Sequence, residues 1–272
     1  MEVVSVDIQR SLEKDRILSY LLPHETKALF LLGNLLNPLQ PAFLYGAKEN
    51  GKLLGVCGYY PTFQSCSIFS EAQVVSKAFA HLINEKYPCT TLLGMKEMVL
   101  PAYEEWISLG RESLSNPEKS FFELHMGDFI PHTTSDGVIR EESDEDLDRA
   151  GLLFRHLQDE PINLLLTERE RTQMRARPIR FCLEVKGEIV TIASSNGLAH
   201  KAFQILGVVT DPQFRARGYA KAVCSHLINE MQKRGAQEAI LFTDPDNVQA
   251  IRCYQSLGFR RTDSYYVARF RS

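Results

Sequence analysis

The stretch ILGVVTDPQFRARGYAKAVCSHLINEMQKRG, residues 205–235, constrains this chain more than any other. Its apolar opening reads as a strand, and Asp211-Pro212 ends the ladder because proline has no N–H to offer it. From Gly218 onward the apolar residues Val223, Leu227, Ile228 and Met231 fall on one helical face. Lys233 and Arg234 occupy the last turn, and Gly235 suits the left-handed residue that stops a helix. The segment is therefore a strand, a loop and a helix.

The loop has a chemical consequence. The first N–H groups of a helix lack internal acceptors and sit at the positive end of its dipole, so they suit phosphate oxygens. Gly218 has no Cβ to hold an anion away, Ala220 keeps the first turn slim, and Arg215 and Arg217 can add charge-assisted hydrogen bonds. The loop reads as a diphosphate cradle; the plainer reading is an ordinary helix start with two surface arginines. Neither GxxxxGK[ST] nor GxGxxG occurs, which sets aside the P-loop and dinucleotide alternatives. Downstream, DPDNVQAIRCYQSLGF, residues 244–259, reads as a helix capped by Asp246 and stopped at Gly258 with Phe259 as its hydrophobic clasp. Asn247 and Tyr254 lie about two turns apart on one face.

The rest of the chain divides in two. Residues 10–36 read as helices, AFLYGAKENGKLLGVCGYY as a hairpin turning at Asn50-Gly51, Glu71–Lys86 as a helix, Thr91 as a short strand, the region of Tyr103 as a helix and FFELHM as a strand. GDFIPHTTSDG, residues 127–137, has no periodicity and marks the boundary between a domain at 1–130 and one at 136–272. The second opens with VIRE and a helix over SDEDLDRAGLLFRHLQ capped by Ser143 or Asp144. A charged helix over LLLTERERTQMRAR follows, read as a solvated face, then a hairpin turning at Lys186-Gly187. Both halves run hairpin, helix, strand, helix, strand.

Net charge of -3 and a pI of about 6.2 argue against a broad basic face for nucleic acid. The six cysteines form no CxxC and no zinc spacing, so free thiols in a reducing compartment, and no metal, are expected. The opening MEVVSVDIQRSLEKDR lacks a secretion-signal profile and no apolar run reaches membrane-spanning length, so a cytoplasmic protein without membrane contact is expected.

Arg215-x-x-Gly218-x-Ala220, followed by Asn247-x-x-Ala250-x-x-x-Tyr254-x-x-x-Gly258-Phe259, resembles the GNAT superfamily of acyl-CoA N-acyltransferases over residues 137–270. Within it, the phrasing is most similar to the glycine N-acyltransferase-like branch. The resemblance implies an α/β (α+β) fold of two GNAT-like domains in tandem. Each would be a mixed, mostly antiparallel sheet with a splayed central parallel strand pair and flanking helices. In the second domain KAFQILGVVT and EAILFT would be that pair, with coenzyme A between them. It further implies acyl-CoA, most simply acetyl-CoA, as co-substrate, held by Val208, Val209, Thr210, Arg215, Ala216, Arg217, Gly218, Tyr219, Ala220, Asn247 and Ala250. A strand N–H at Val208 or Val209 would meet the oxyanion and Tyr254 would protonate the departing sulfur.

Gln204 stands where the branch places a glutamate base, and an amide takes up no proton at neutral pH. His200, Glu184, Glu188 or a water held by Gln204 are the alternatives. The first half lacks both motifs and reads as a degenerate copy that shapes the acceptor cleft or meets a protein partner or a second copy. Two functions remain open at the level of sequence: acyl transfer to a primary amine of a small molecule, amino acid or peptide, and an acyl-CoA-binding sensor or interaction module without turnover.

Overall fold

A computed structural model describes residues 1–6, 11–38, 41–155 and 166–271. Parts of three expected segments lie outside them: residue 10 of the first helical region, 156–158 of the helix begun at Ser143 and 164–165 of the charged helix. In chain order the elements are β1 (Glu2–Ser5), α1 (Ser11–Leu21), α2 (Leu29–Leu36), β2 (Phe43–Glu49), β3 (Lys52–Tyr60), β4 (Ser65–Ser70), α3 (Gln73–Lys86), β5 (Thr91–Met95), α4 (Lys96–Ser108) and β6 (Glu118–His125). They continue with β7 (Val138–Glu141), α5 (Leu147–Arg155), α6 (Glu168–Arg175), β8 (Ile179–Val185), β9 (Glu188–Leu198), β10 (Ala202–Thr210), α7 (Tyr219–Lys233), β11 (Glu238–Thr243), α8 (Val248–Ser256) and β12 (Arg260–Arg269).

The chain forms two compact units, Met1–Phe121 with Phe242–Asp246 and Arg261–Ser272, and Phe122–Leu241 with Asn247–Arg260. In the first, the strand order is β1-β2-β3-β4-β5-β12. The first four strands meander antiparallel, β4 and β5 run parallel, and the end of the chain closes the sheet as β12, antiparallel to β5 from Tyr265↔Met95 to Arg269↔Thr91. The β2–β3 turn sits on Asn50 (φ 50) and Gly51 (φ 77), the paired left-handed residues of a type I′ hairpin. Its core gathers Phe79, Ile83, Leu92, Val99 and Trp106 with Tyr266 and Phe270, and the Trp106 indole donates to the Ala80 carbonyl at 2.9 Å.

The second unit has the order β7-β8-β9-β10-β11-β6. Strands β7 to β10 are antiparallel and β10 runs parallel to β11. Lys186 (φ 53) and Gly187 (φ 82) make the β8–β9 turn. Phe203 and Ile205 of β10 pack with Val223, Leu227, Ile228 and Met231 of α7, the face the spacing predicts. Helix α7 stops where Gly235 adopts φ 95 and the Ala236 N–H bonds the Met231 carbonyl at 3.0 Å. On the opposite face a second cluster holds Leu147, Ala150, Leu153 and Met174 against Cys182, Ile192 and Val209. Helices α5 and α6 are joined by Arg155, whose Nε and Nη2 each donate to the Glu170 carboxylate at 3.0 Å. Mixed sheets with flanking helices were the expected class, and the structure has them.

Candidate active site

Parallel pairing between β10 and β11 covers Ala202↔Glu238, Phe203↔Ala239 and Gln204↔Ile240 and then stops, while β10 continues to Thr210. Beyond that point β10 also slips against β9: the register jumps from Leu206↔Ser194 to Val209↔Ile192, leaving Gly207 and Val208 without partner residues. Gly207 at φ 62 supplies the left-handed residue such a bulge uses. Of the two candidates for a free strand N–H, Val208 lies in the bulge, whereas Val209 is paired with Ile192 and its side chain is buried.

After β10 the Asp211 carboxylate accepts from the Gln213 N–H at 3.0 Å and sets a single 3-10 turn over Pro212–Phe214. Arg215 Nε donates to the Thr210 carbonyl at 3.3 Å, folding the loop back on the strand end. The Arg217 guanidinium lies over the Phe214 ring at 5.3 Å. Ala216 (φ 62) and Gly218 (φ 78) are both left-handed, so the backbone curls just before α7 begins. Among the described residues no acceptor receives the N–H groups of Arg217, Gly218, Tyr219, Ala220 or Lys221; the first bond of the turn is the Ala222 N–H to Gly218 at 3.0 Å. A Cβ on Gly218 would lie 3.3 Å from His132 Nε2. Burial, with Lys221 adding to it, lowers the His132 pKa, so its imidazole is neutral at physiological pH.

Tyr219 differs from expectation in one respect. Its ring is buried and its hydroxyl donates to Asp136 at 3.1 Å, so only its backbone faces the loop. The cap of α8 is also corrected: Asn247, not Asp246, is the N-cap, its Oδ1 accepting from the Ala250 N–H at 3.1 Å. The helix ends as predicted, with Gly258 at φ 102 and the Phe259 N–H bonded to the Tyr254 carbonyl at 3.1 Å. A Cβ at Gly258 would meet the Asp128 carbonyl oxygen at 2.2 Å, a second reason for glycine there.

Tyr254 is buried in the cluster that holds Val208, Tyr219, Cys224, Ala250 and Cys253, while Val248 at the start of the same helix is exposed. Burial, reinforced by the Cys224 and Cys253 thiols, pushes its phenol well above 10 and keeps it protonated. Gln204 is also buried, and its Oε1 accepts from Asn196 Nδ2 at 2.7 Å. Two alternative bases are occupied elsewhere, since Glu184 pairs with Arg140 at 3.0 Å and Glu188 with Arg149 at 2.9 Å. His200 is exposed at the turn before β10.

The sequence reading missed a charged group on the α5–α6 face. Arg177, assigned there to a solvated face, is buried, as is Glu142. Glu142 faces Arg180 at 3.4 Å without forming a hydrogen bond, and burial lifts its carboxyl to about 7 against the pull of both arginines. Charged residues at a helix end carry no mark in the sequence of which one turns inward. Among the described residues no helix is long and apolar enough to cross a membrane.

Residues 142–259 match the Acetyltransferase (GNAT) family. A [Ribosomal protein bS18]-alanine N-acetyltransferase of Escherichia coli (strain K12) is 31% identical over 83 residues, 30% of this chain and 55% of that protein. A mycothiol acetyltransferase of Renibacterium salmoninarum is 40% identical over 53 residues, 20% of this chain and 16% of that protein. The chain thus spans about half the length of the first relative and less of the second. A tandem GNAT protein from the clavulanic acid biosynthesis pathway superposes with a TM-score of 0.63 at 12% identity, covering 98% of this chain and 97% of that one. A Drosophila protein superposes with 0.71 at 14% identity, covering 98% of each. Both likenesses cover nearly the whole chain and are likenesses of fold.

Proposed function

We propose that the GNAT-family acetyltransferase domain of this chain transfers an acetyl group from acetyl-CoA to a primary amine of a small molecule, amino acid or peptide. The observation that carries this reading is the run of unsatisfied backbone N–H groups from Arg217 to Lys221, curled by two left-handed residues at the start of α7. Backbone donors at a positive helix end, flanked by Arg215 and Arg217, fit the diphosphate of coenzyme A. The named relatives support the same class of reaction.

In this reading the pantetheine arm follows β10 past the point where its pairing with β11 ends, and the Val208 N–H meets the oxygen of the thioester carbonyl as charge develops on it. A neutral amine attacks the carbonyl carbon, a C–N bond forms, and the C–S bond breaks as the nitrogen gives up its proton. Tyr254 donates its phenolic proton toward the departing sulfur and is reprotonated from solvent. Even an ordinary phenol near 10 is a weaker acid than a thiol at about 8.5, by about 2 kcal/mol, and burial weakens Tyr254 further, so the transfer runs uphill by more than that and relies on proximity in a water-poor site. Gln204, held by Asn196, is an orienting amide and not a base. The amine therefore arrives already deprotonated or loses its proton to water.

A thiol-release assay with acetyl-CoA against a panel of primary amines tests this. Turnover that depends on Tyr254 is expected; tight acetyl-CoA binding without turnover by any amine would replace catalysis with a sensor.

A further inference from the structure

Arg177 is the group in this molecule whose chemistry is least accounted for. It follows α6, ahead of β8, and only 8% of it is exposed. A guanidinium carries five N–H donors, and buried ones almost always find acceptors. Yet no described residue accepts a hydrogen bond from its side chain. What holds it is contact: the guanidinium carbon lies 4.3 Å from the Phe154 ring centre. Its Nη1 comes within 3.4 Å of where a Cβ on Gly207 would be, so its donors lie against the bulge of β10.

A structural role for so buried a cation would show as a closed ion pair. The nearest carboxylate is already contested, because Glu142 faces Arg180 as well as Arg177, and neither of its oxygens makes a hydrogen bond. Arg180 also reaches Asp144 at 3.6 Å, whereas among the described residues no carboxylate lies within 4 Å of the Arg177 guanidinium, so its fork of donors is unmatched. Burial brings Arg177 down to about 10, which leaves it charged at neutral pH. A planar, charged fork without a close partner matches a monoanion with two coplanar oxygens.

We propose that Arg177, held flat against Phe154 beside the β10 bulge, receives a carboxylate carried by the amine acceptor and so selects carboxylate-bearing amines. This rests on the acetyl-transfer reading above, since it places the acceptor's carboxylate beside Gly207, the neighbour in the β10 bulge of Val208, whose N–H is proposed to meet the thioester carbonyl. Arg177 is a specificity residue in this arrangement and takes no part in proton transfer.

Paired acceptors that differ only in the carboxylate test it: alanine against alaninamide, and 6-aminohexanoate against hexylamine, each with acetyl-CoA. At least about a tenfold preference in kcat/KM for the acid of one pair is expected. Arg177→Gln should erase that preference through the acceptor KM, leave the acetyl-CoA KM unchanged, and Arg177→Lys should restore part of it. Equal use of acid and neutral partner by the unaltered protein, or a preference that survives in Arg177→Gln, overturns the proposal. Calorimetric binding of N-acetylalanine against N-acetylalaninamide, with coenzyme A present, needs no turnover and no variant. If acetyl-CoA binds but no amine is acetylated, the acetyl-transfer reading fails, and preferential binding of the acid still upholds the role of Arg177 while equal binding sinks it.

Discussion

The two units build the same strand sequence and put different chemistry at the same place in it. In the first, β4 passes to α3 through only Glu71 and Ala72; in the second, β10 passes to α7 through the eight residues Asp211–Gly218. The short connection is closed on itself. The Ala72 N–H bonds the Ser70 hydroxyl at 3.1 Å, and the N–H groups of Val75 and Ser76, the third and fourth residues of the helix, bond the Ala72 carbonyl. An acidic residue stands where the second unit has arginines. Each parallel pairing spans three residue pairs, but past it β4 runs only from Ser67 to Ser70, where a Cβ on Gly94 would lie 3.0 Å from the Ile68 carbonyl oxygen, whereas β10 runs on from Gln204 to Thr210. Buried polar side chains follow suit, serines alone in the first unit among the described residues, and Glu142, Arg155, Arg177, Thr191 and Gln204 besides in the second. A sheet can thus be copied for its packing alone, while a ligand site depends on a few positions where packing is left incomplete.

The sharpest way to break this comparison is at the tyrosines on the two corresponding helices. Tyr254→Phe should lower kcat about 100- to 1000-fold with the acetyl-CoA KM within about twofold. Tyr103→Phe on α4, whose ring packs against Tyr266 and Phe270, should leave turnover unchanged. If both variants behave alike in the thiol-release assay, Tyr254 is core and no more.

The buried charge of the second unit gives the next largest effect. The Glu142 carboxyl is raised by burial from 4.5 to about 7, so between those values the folded chain holds a proton that the unfolded chain has lost. Stability contributed by that proton is present below pH 4.5 and is lost as pH rises to 7, a decline of about 3 kcal/mol from this group. Urea unfolding of Glu142→Gln should show a flatter pH dependence over this window than the unaltered protein; parallel curves would mean that the two arginines hold Glu142 ionised throughout.

Much of this was legible in the sequence, and for local reasons. Asn50-Gly51 and Lys186-Gly187 announce their turns because left-handed pairs favour few residues, and the α7 face and its stop at Gly235 follow from spacing and from glycine. The motif spacing also set a loop before α7 and Tyr254 on α8, where they are found. Three features depended on tertiary structure and left no local mark. Nothing in SYYVARF says that β12 pairs with Thr91–Met95 from the first half of the chain. Asn247 and Asp246 are equally good caps by type, and only the backbone path chose Asn247. Arg177 looks like its exposed neighbour Arg175, and what distinguishes it is Phe154, which lies 23 positions earlier in the chain.

Smaller effects are expected in the loop that the first unit lacks. Gly218→Ala adds a Cβ to a residue at φ 78, at about 1 kcal/mol of strain, and sets it 3.3 Å from His132 Nε2. The curl should open, raising the acetyl-CoA KM about tenfold with kcat little changed. Glycine at this place is demanded by backbone angle as well as by ligand access, so stability must be measured beside affinity: a KM that stays constant while the melting temperature falls would make Gly218 a structural residue only.

Arg215→Ala should have the smallest effect, because its Nε already bonds the Thr210 carbonyl and its exposed head must compete with solvent and salt. Loss of one charge-assisted contact to a phosphate predicts about a fivefold to tenfold weaker coenzyme A affinity by calorimetry. The discriminating measurement is ionic strength. If Arg215 meets phosphate, affinity of the unaltered protein falls as salt rises from 50 to about 300 mM and the variant loses part of that dependence. If Arg215 only pins the loop to Thr210, both proteins keep the same salt slope and the variant is weaker by a constant factor. That second outcome would leave the proposed phosphate site to the backbone N–H groups from Arg217 to Lys221, in contrast to the start of α3, where the N–H ahead of the helix, at Ala72, is already bonded to Ser70.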